Sequence, residues 1–333
     1  MRSKGPIVRI IIFASILILS IIIPAIIQDP YWTDIFIFIL IFIILSTSLR
    51  LVINTGQATF AHPALAAIGG YCSGALTVIL GFSFWEALPI AGLAAALISL
   101  IIGYPTLRIK GVYFFLITFT FTSLVGVLVG NFWIPIFGGW KGLINIPRPN
   151  PIIIPGLLMI KFTTDLSYYY LVLFLTVMTI WVLYRVEKSR FGWVFRAIEN
   201  ADLLAESVGI NLMKYKLLAF VIAGIFAGIA GCLFAHYQKI ITPYDFDLNF
   251  GILLFIYTVV GGTSTIVGPI LGVIFLRILA HPLRQFGIYE TMILGFILIL
   301  FLRFIPGGLI GLLERIVGFL EIKLHDPKTG GFI

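Results

Sequence analysis

The chain of 333 residues is 60% hydrophobic and only 11% charged, with a mean hydropathy of +1.13. Soluble domains run at about 45–50% apolar and about 25% charged, so these charges cannot cover a water-soluble surface, and a soluble enzyme is excluded. The net charge of +8 is dispersed among segments between apolar runs, a membrane-topology pattern rather than a nucleic-acid patch.

A helix needs about 20 apolar residues to cross the hydrocarbon core of a bilayer. Runs of low polarity predict an all-α polytopic membrane protein with about ten transmembrane helices, at 7–27, 35–53, 64–82, 87–104, 111–134, 168–184, 217–237, 250–261, 266–281 and 289–305. Ile10–Ile27 is apolar at almost every position, which rejects the alternating strands of a barrel. Arg2 and Lys4 ahead of that run resemble a signal peptide, but no A-x-A site follows, and the run reads as a retained first span. The segment 250–261 is short for a span and suits a broken or re-entrant element. Cys72 and Cys232 both fall in apolar runs without a C-x-x-C pair, and read as packing residues.

Placing the N-terminus inside puts sixteen of the 22 Lys and Arg residues in cytoplasmic segments and five in outer ones, with Arg277 inside a span. That asymmetry predicts an even number of spans and two cytoplasmic termini. The chain thus reads as a single transmembrane domain over 1–333, with an outer loop at 135–167 rich in Pro and Gly, a hydrophilic inner loop at 185–216 and a cytoplasmic tail at 306–333. Defined turns and short helices are expected in the outer loop.

No G-x-x-x-x-G-K-[ST], H-E-x-x-H or G-x-S-x-G occurs, so no catalytic residue, metal site or bound cofactor is expected, and ATP must be hydrolysed elsewhere if it is used. No Asp or Glu lies near the middle of a span. This disfavours a proton-driven carrier acting alone, while sodium coupling through backbone carbonyls stays open.

In the inner loop, Ala197, Ile198, Ala201, Leu204, Ala205 and Val208 recur at helical spacing, with Glu199, Asp202 and Glu206 on the other sides and Gly209 placed for a C-cap. The pattern predicts one amphipathic helix over 197–208. Its acidic polar face suits a protein groove better than anionic lipid, so Ala197, Ala201, Leu204, Ala205, Val208 and Gly209 are candidate docking residues for a motor subunit. Gly224-x-x-x-Gly228 and Gly268-x-x-x-Gly272 are expected to serve close helix packing. The polar interruption that holds Asn54, Gln57, Thr59 and His62, and Thr118 farther on, is either a loop between spans or the lining of a translocation pathway.

Several segments resemble the LivM-type permeases of the branched-chain amino acid ABC importer family. Gly56-Gln-Ala-Thr-Phe-Ala-His62 through Gly69-Gly-Tyr71 is similar to the family's G-x-x-S-x-G-H-x-x-F-x-x-x-G-x-Y, with Thr59, Ala61 and Leu65 as departures. Pro105-Thr-Leu-Arg108 through Tyr113, Ser189-Arg-Phe-Gly192, Gly209-Ile-Asn, Tyr215 through Phe220, Ala227 through Gly231, Gly261-Gly262 and Gly268-Pro269 follow in the family's order. Leu253 and Trp140-Lys141 depart from it. The resemblance implies a type II ABC importer-like permease in a bacterial or archaeal cytoplasmic membrane. It further implies two ATPase subunits, a second related permease and an extracytoplasmic substrate-binding protein, with branched-chain amino acids as cargo. A permease for urea, short amides or another small polar solute is the alternative, and an ion-driven transporter acting alone is a third.

Overall fold

The computed structural model describes residues 19–24, 26–27, 29–109, 111–132, 134–154, 158–283, 289–304, 307–312 and 315. Most of the expected span at 7–27 and of the tail at 306–333 lies outside the described residues. Residues 20–255 form one compact unit, and the described residues from 256 onward belong to a second.

Helix α1 (Pro30–Ile53) starts where the Asp29 carboxylate accepts from the Tyr31 amide at 2.9 Å and Pro30 takes the first position. It leads to α2 (His62–Val78), then to α3 (Phe84–Thr106), which a Ser83–Glu86 capping box opens. Next come α4 (Val112–Asn131) and the single turn α5 (Ile134–Phe137). Helix α6 (Asp165–Lys188) is capped by Thr164, and the short α7 (Arg190–Asn200) and α8 (Asp202–Ser207) follow it. The longest helix, α9 (Leu212–Gln238), begins under an Asn211 cap on the Lys214 amide at 3.0 Å and ends at left-handed Lys239. The chain continues through α10 (Leu248–Gly261), α11 (Val267–Leu283) and α12 (Tyr289–Phe304). Among the described residues, six segments are long and apolar enough to cross a membrane: α1, α3, α4, α6, α9 and Pro243–Gly261. The helical turn Pro243–Phe246 ahead of α10 brings the expected short span to 19 residues.

The structure corrects two expectations. The loop at 135–167 is not built of turns and short helices alone. It carries an antiparallel hairpin of β1 (Ile152–Ile154) and β2 (Leu158–Ile160), with Ile153 opposite Met159. The three isoleucines of β1 favour extended backbone, and pairing of the two strands satisfies amides on both. The amphipathic segment 197–208 is also not one helix: Ala201 is extended (φ −160°, ψ 92°), and separates α7 from α8.

In the larger unit α9 packs against α1, α2 and α3, and its small residues set the distances. A Cβ added to Gly228 would lie 2.6 Å from both the Ala91 carbonyl oxygen and Ala95 Cβ, and one on Gly224 would strike the Ser99 hydroxyl. One on Gly231 would meet the backbone of Ala66. In the second unit, a Cβ on Gly272 would come within 2.8 Å of Gly261 Cα, and one on Gly268 within 2.9 Å of the Gly262 carbonyl carbon. Helix backbones meet directly at these points, where association rests on dispersion contacts. Hydroxyls buried in the helices turn back to carbonyls one turn earlier, as Thr47 to Ile43 at 2.6 Å and Ser99 to Ala95 at 2.7 Å. Gly231→Val, which forces α2 and α9 apart, is expected to cost about 3 kcal/mol, read as a lowered Tm of the detergent-solubilised protein.

Candidate functional site

Two regions of the larger unit carry polar and exposed apolar chemistry. The first is the α7–α8 pair. Helix α7 turns Gly192, Phe195 and Ile198 inward and leaves Phe191 and Trp193 exposed. Helix α8 buries Ala205, while Leu203 (76% exposed), Leu204 (69%) and Val208 (76%) project from its surface. Because the helix breaks at Ala201, the predicted docking set does not share one face. Ala197, Leu204 and Val208 point outward, Ala205 points inward, and Ala201 forms the joint. Gly209 has φ +87°. Its amide reaches the Glu206 carbonyl at 3.0 Å and the Ile210 amide reaches Ala205 at 3.1 Å, the double bond of a Schellman cap that only glycine makes without strain.

Side chains that sequence reading did not single out for the site fasten this pair to the helical body. Arg50, in the last turn of α1 and 1% exposed, pairs with Glu187 in the last turn of α6. Lys216, in the first turns of α9, pairs with Asp202 of α8 at 2.9 Å. Glu199, at the end of α7, has its carboxyl pushed up by partial desolvation and held back by the Arg50 and Arg196 guanidiniums. Arg50 and Glu187 are 137 residues apart, and a basic residue at a span end looks in sequence like an ordinary topology signal.

The second region is the break between α1 and α2. Asn54, Gln57, Thr59 and His62 lie on it, and all are buried. Thr118 of α4 comes to it from the side: its hydroxyl accepts from the Phe60 amide at 3.0 Å, while Thr122 donates to the Phe60 carbonyl at 2.6 Å. Thr59 accepts from the Ala61 amide at 3.1 Å. Two hydroxyls one helical turn apart thus take up the peptide groups that the missing helix would have paired. The Phe60 ring sits against Phe115, Phe119 and Phe255 at centroid distances of 4.6, 6.4 and 5.9 Å. Asn54 Oδ1 and both His62 ring nitrogens have no hydrogen-bond partner. The break is therefore not a solvated connection: apart from Gly56 and Ala58, residues 54–61 are covered by protein.

A separate cleft of about 660 Å³ opens between α2, α3 and α4, walled by Ile68, Tyr71, Cys72, Ile98, Ile101 and Phe121 among others. No charged or amide side chain lines it, so no side chain there can form an ion pair with an ammonium or carboxylate group. Among the described residues, no cluster of His, Cys, Asp and Glu could hold a metal ion.

Spanning helices with closely packed backbones and a buried unwound segment define a multi-pass helical membrane protein. Residues 31–302 match the family described as branched-chain amino acid transport system / permease component, and the chain belongs to that family. It is 29% identical over 313 residues to the high-affinity branched-chain amino acid transport system permease protein LivM of Escherichia coli, covering 88% of this chain and 72% of the relative. It is 30% identical over 152 residues to LivH of the same system in Escherichia coli, with 45% and 48% covered. A probable LivH permease of Methanocaldococcus jannaschii is 35% identical over 85 residues, 26% of each chain. No solved structure gives a significant match.

Proposed function

We propose that this chain is the LivM-type permease subunit of an ABC importer that moves leucine, isoleucine and valine into the cytoplasm. The observation that carries the reading is the family match over 31–302, which spans all of the helices from α1 to near the end of α12. Similarity to both LivM and LivH relatives supports a second, related permease beside this one. The remaining partners are two ATPase subunits, which bind and hydrolyse the ATP, and an extracytoplasmic binding protein that selects the cargo.

Basic residues cluster at one end of the spans, which argues for that end, with α7 and α8, lying in the cytoplasm together with both termini. Leu203, Leu204 and Val208 then form the apolar knob seated in a groove of an ATPase subunit, and Gly209 fixes the exit angle of α8. The break at Asn54–His62, with Thr118 behind it, lines the translocation pathway, since unwound backbone at membrane depth is tolerated where it meets protein or a water-filled path.

Gentle purification of the tagged chain from its native membrane tests the assembly. Two P-loop ATPases and a second permease in stoichiometric amount are the expected result, with uptake of labelled leucine into vesicles that requires ATP and the binding protein. A chain isolated alone that accumulates leucine on an ion gradient overturns the reading. Uptake of urea in preference to leucine overturns the cargo assignment.

A further inference from the structure

We propose that Arg50 is a positioning residue for transport: it transmits movement of the docking helices to the unwound segment after α1, and so couples ATP hydrolysis to passage of the solute. The proposal rests on the ABC-permease reading above.

The geometry makes a short mechanical route. Helix α6 ends at Lys188, and Ser189 serves at once as its C-cap and as the N-cap of α7. The turn between them is tight: a Cβ on Gly192 would lie 2.6 Å from Glu187 Cα, so α7 folds back directly onto the residue that Arg50 holds. The other end of α7 reaches the same place. Gly56, on the unwound segment, has its Cβ position 3.9 Å from Glu199 Cα, and the Glu199 carboxylate interacts with Arg50. One end of the docking helix therefore bears on the last turn of α1 through Glu187, and the other lies against the unwound segment that follows it. Four residues beyond Arg50 stands Asn54, where α1 stops and the break begins.

Burial gives the contact its stiffness. The Arg50 side chain is 1% exposed and that of Glu187 10% exposed, so water does not screen the pair as it would a surface bridge. Lys216 to Asp202 ties the neighbouring α8 to α9, but α9 is an uninterrupted helix of 27 residues. The Arg50 contact, by contrast, ends at an element with a break, where a push can alter backbone conformation rather than shift a rod. A displacement of α7–α8 is thus delivered to the α1 terminus and its unwound continuation.

The test compares molecules moved per ATP hydrolysed by the complete complex in proteoliposomes. Arg50→Met together with Glu187→Leu removes both charges and leaves neither partner buried alone, a replacement that membrane and core packing tolerate. This pair is expected to keep ATP hydrolysis while the transported amount per ATP falls about tenfold, inside the range of measured coupling factors. Arg50→Lys, which retains a cation at the site, is expected to keep most of the ratio. An unchanged ratio in the Met/Leu pair overturns the proposal. So does a parallel loss of hydrolysis and transport, which is what a merely structural role produces. The family reading fails separately, and visibly, if the unaltered complex shows no ATP-dependent uptake at all.

Discussion

Leu204→Asp should abolish ATP-driven uptake while the permease inserts and folds at normal levels. In the free chain the Leu204 side chain is 69% exposed, and Leu203 and Val208 beside it are 76% exposed. An acidic group there costs the isolated protein almost nothing, as surface substitutions usually fall within about 0.5 kcal/mol of neutral. In a docked complex the same position is dehydrated. Losing a buried leucine removes roughly 1.5–3 kcal/mol, and forcing an unpaired carboxylate into an apolar groove adds further cost. A loss of about 3 kcal/mol lowers affinity for the ATPase subunit by a factor of about 100. Co-purification of the ATPases with the variant reads the affinity, and vesicle uptake reads its consequence. Gly209→Pro reaches the same end by another route. Proline cannot adopt φ +87° and has no amide to give Glu206, so α8 loses its cap and the knob its direction. Normal uptake by a correctly inserted Leu204→Asp protein would sink the assignment of α8 as the docking element.

The position of the helices was largely legible in the chain, because nearly continuous apolar runs leave few other structures open in a bilayer. At two helix starts a side-chain cap moved the boundary. Asp29 starts α1 five residues ahead of its apolar run, and Asn211 starts α9 inside the hydrophilic stretch. The docking region shows the limit of periodicity. Positions 197–208 fit a single helical face, and the Gly209 C-cap has the positive φ that its place in the pattern requires. The fit nevertheless misses the joint at Ala201, because long-range contacts also act there: Lys216 takes the Asp202 carboxylate, and Ile198 and Ala205 are buried on separate helices. Contacts between distant positions were not legible at all. Thr122 is 62 residues from Phe60, and Glu187 is 137 from Arg50. In sequence the first is one of several threonines on α4, and the second is an ordinary charge at a span end.

The threonines on α4 give the second large effect. Thr118→Val with Thr122→Val keeps side-chain shape but removes the acceptor of the Phe60 amide and the donor to the Phe60 carbonyl. Both peptide groups then remain buried without partners, at about 1–3 kcal/mol each, and the pair should destabilise the protein by about 2–6 kcal/mol. Thr120 on the same helix is the contrast. Its hydroxyl donates to Leu116 within α4 and faces outward, so Thr120→Val should leave stability within about 0.5 kcal/mol of the parent. The difference in Tm between the two variants in detergent isolates the bonds to the break from the general loss of a hydroxyl in a membrane helix. If the break lines the pathway, the double variant also loses most uptake at temperatures well below its Tm, because Phe60 and the residues on either side of it are no longer held where Thr118 and Thr122 place them. A double variant that melts with the parent would show that the break is held by something other than these two hydroxyls. One that melts early but transports normally when cold would show that the break is structural and that the solute passes elsewhere.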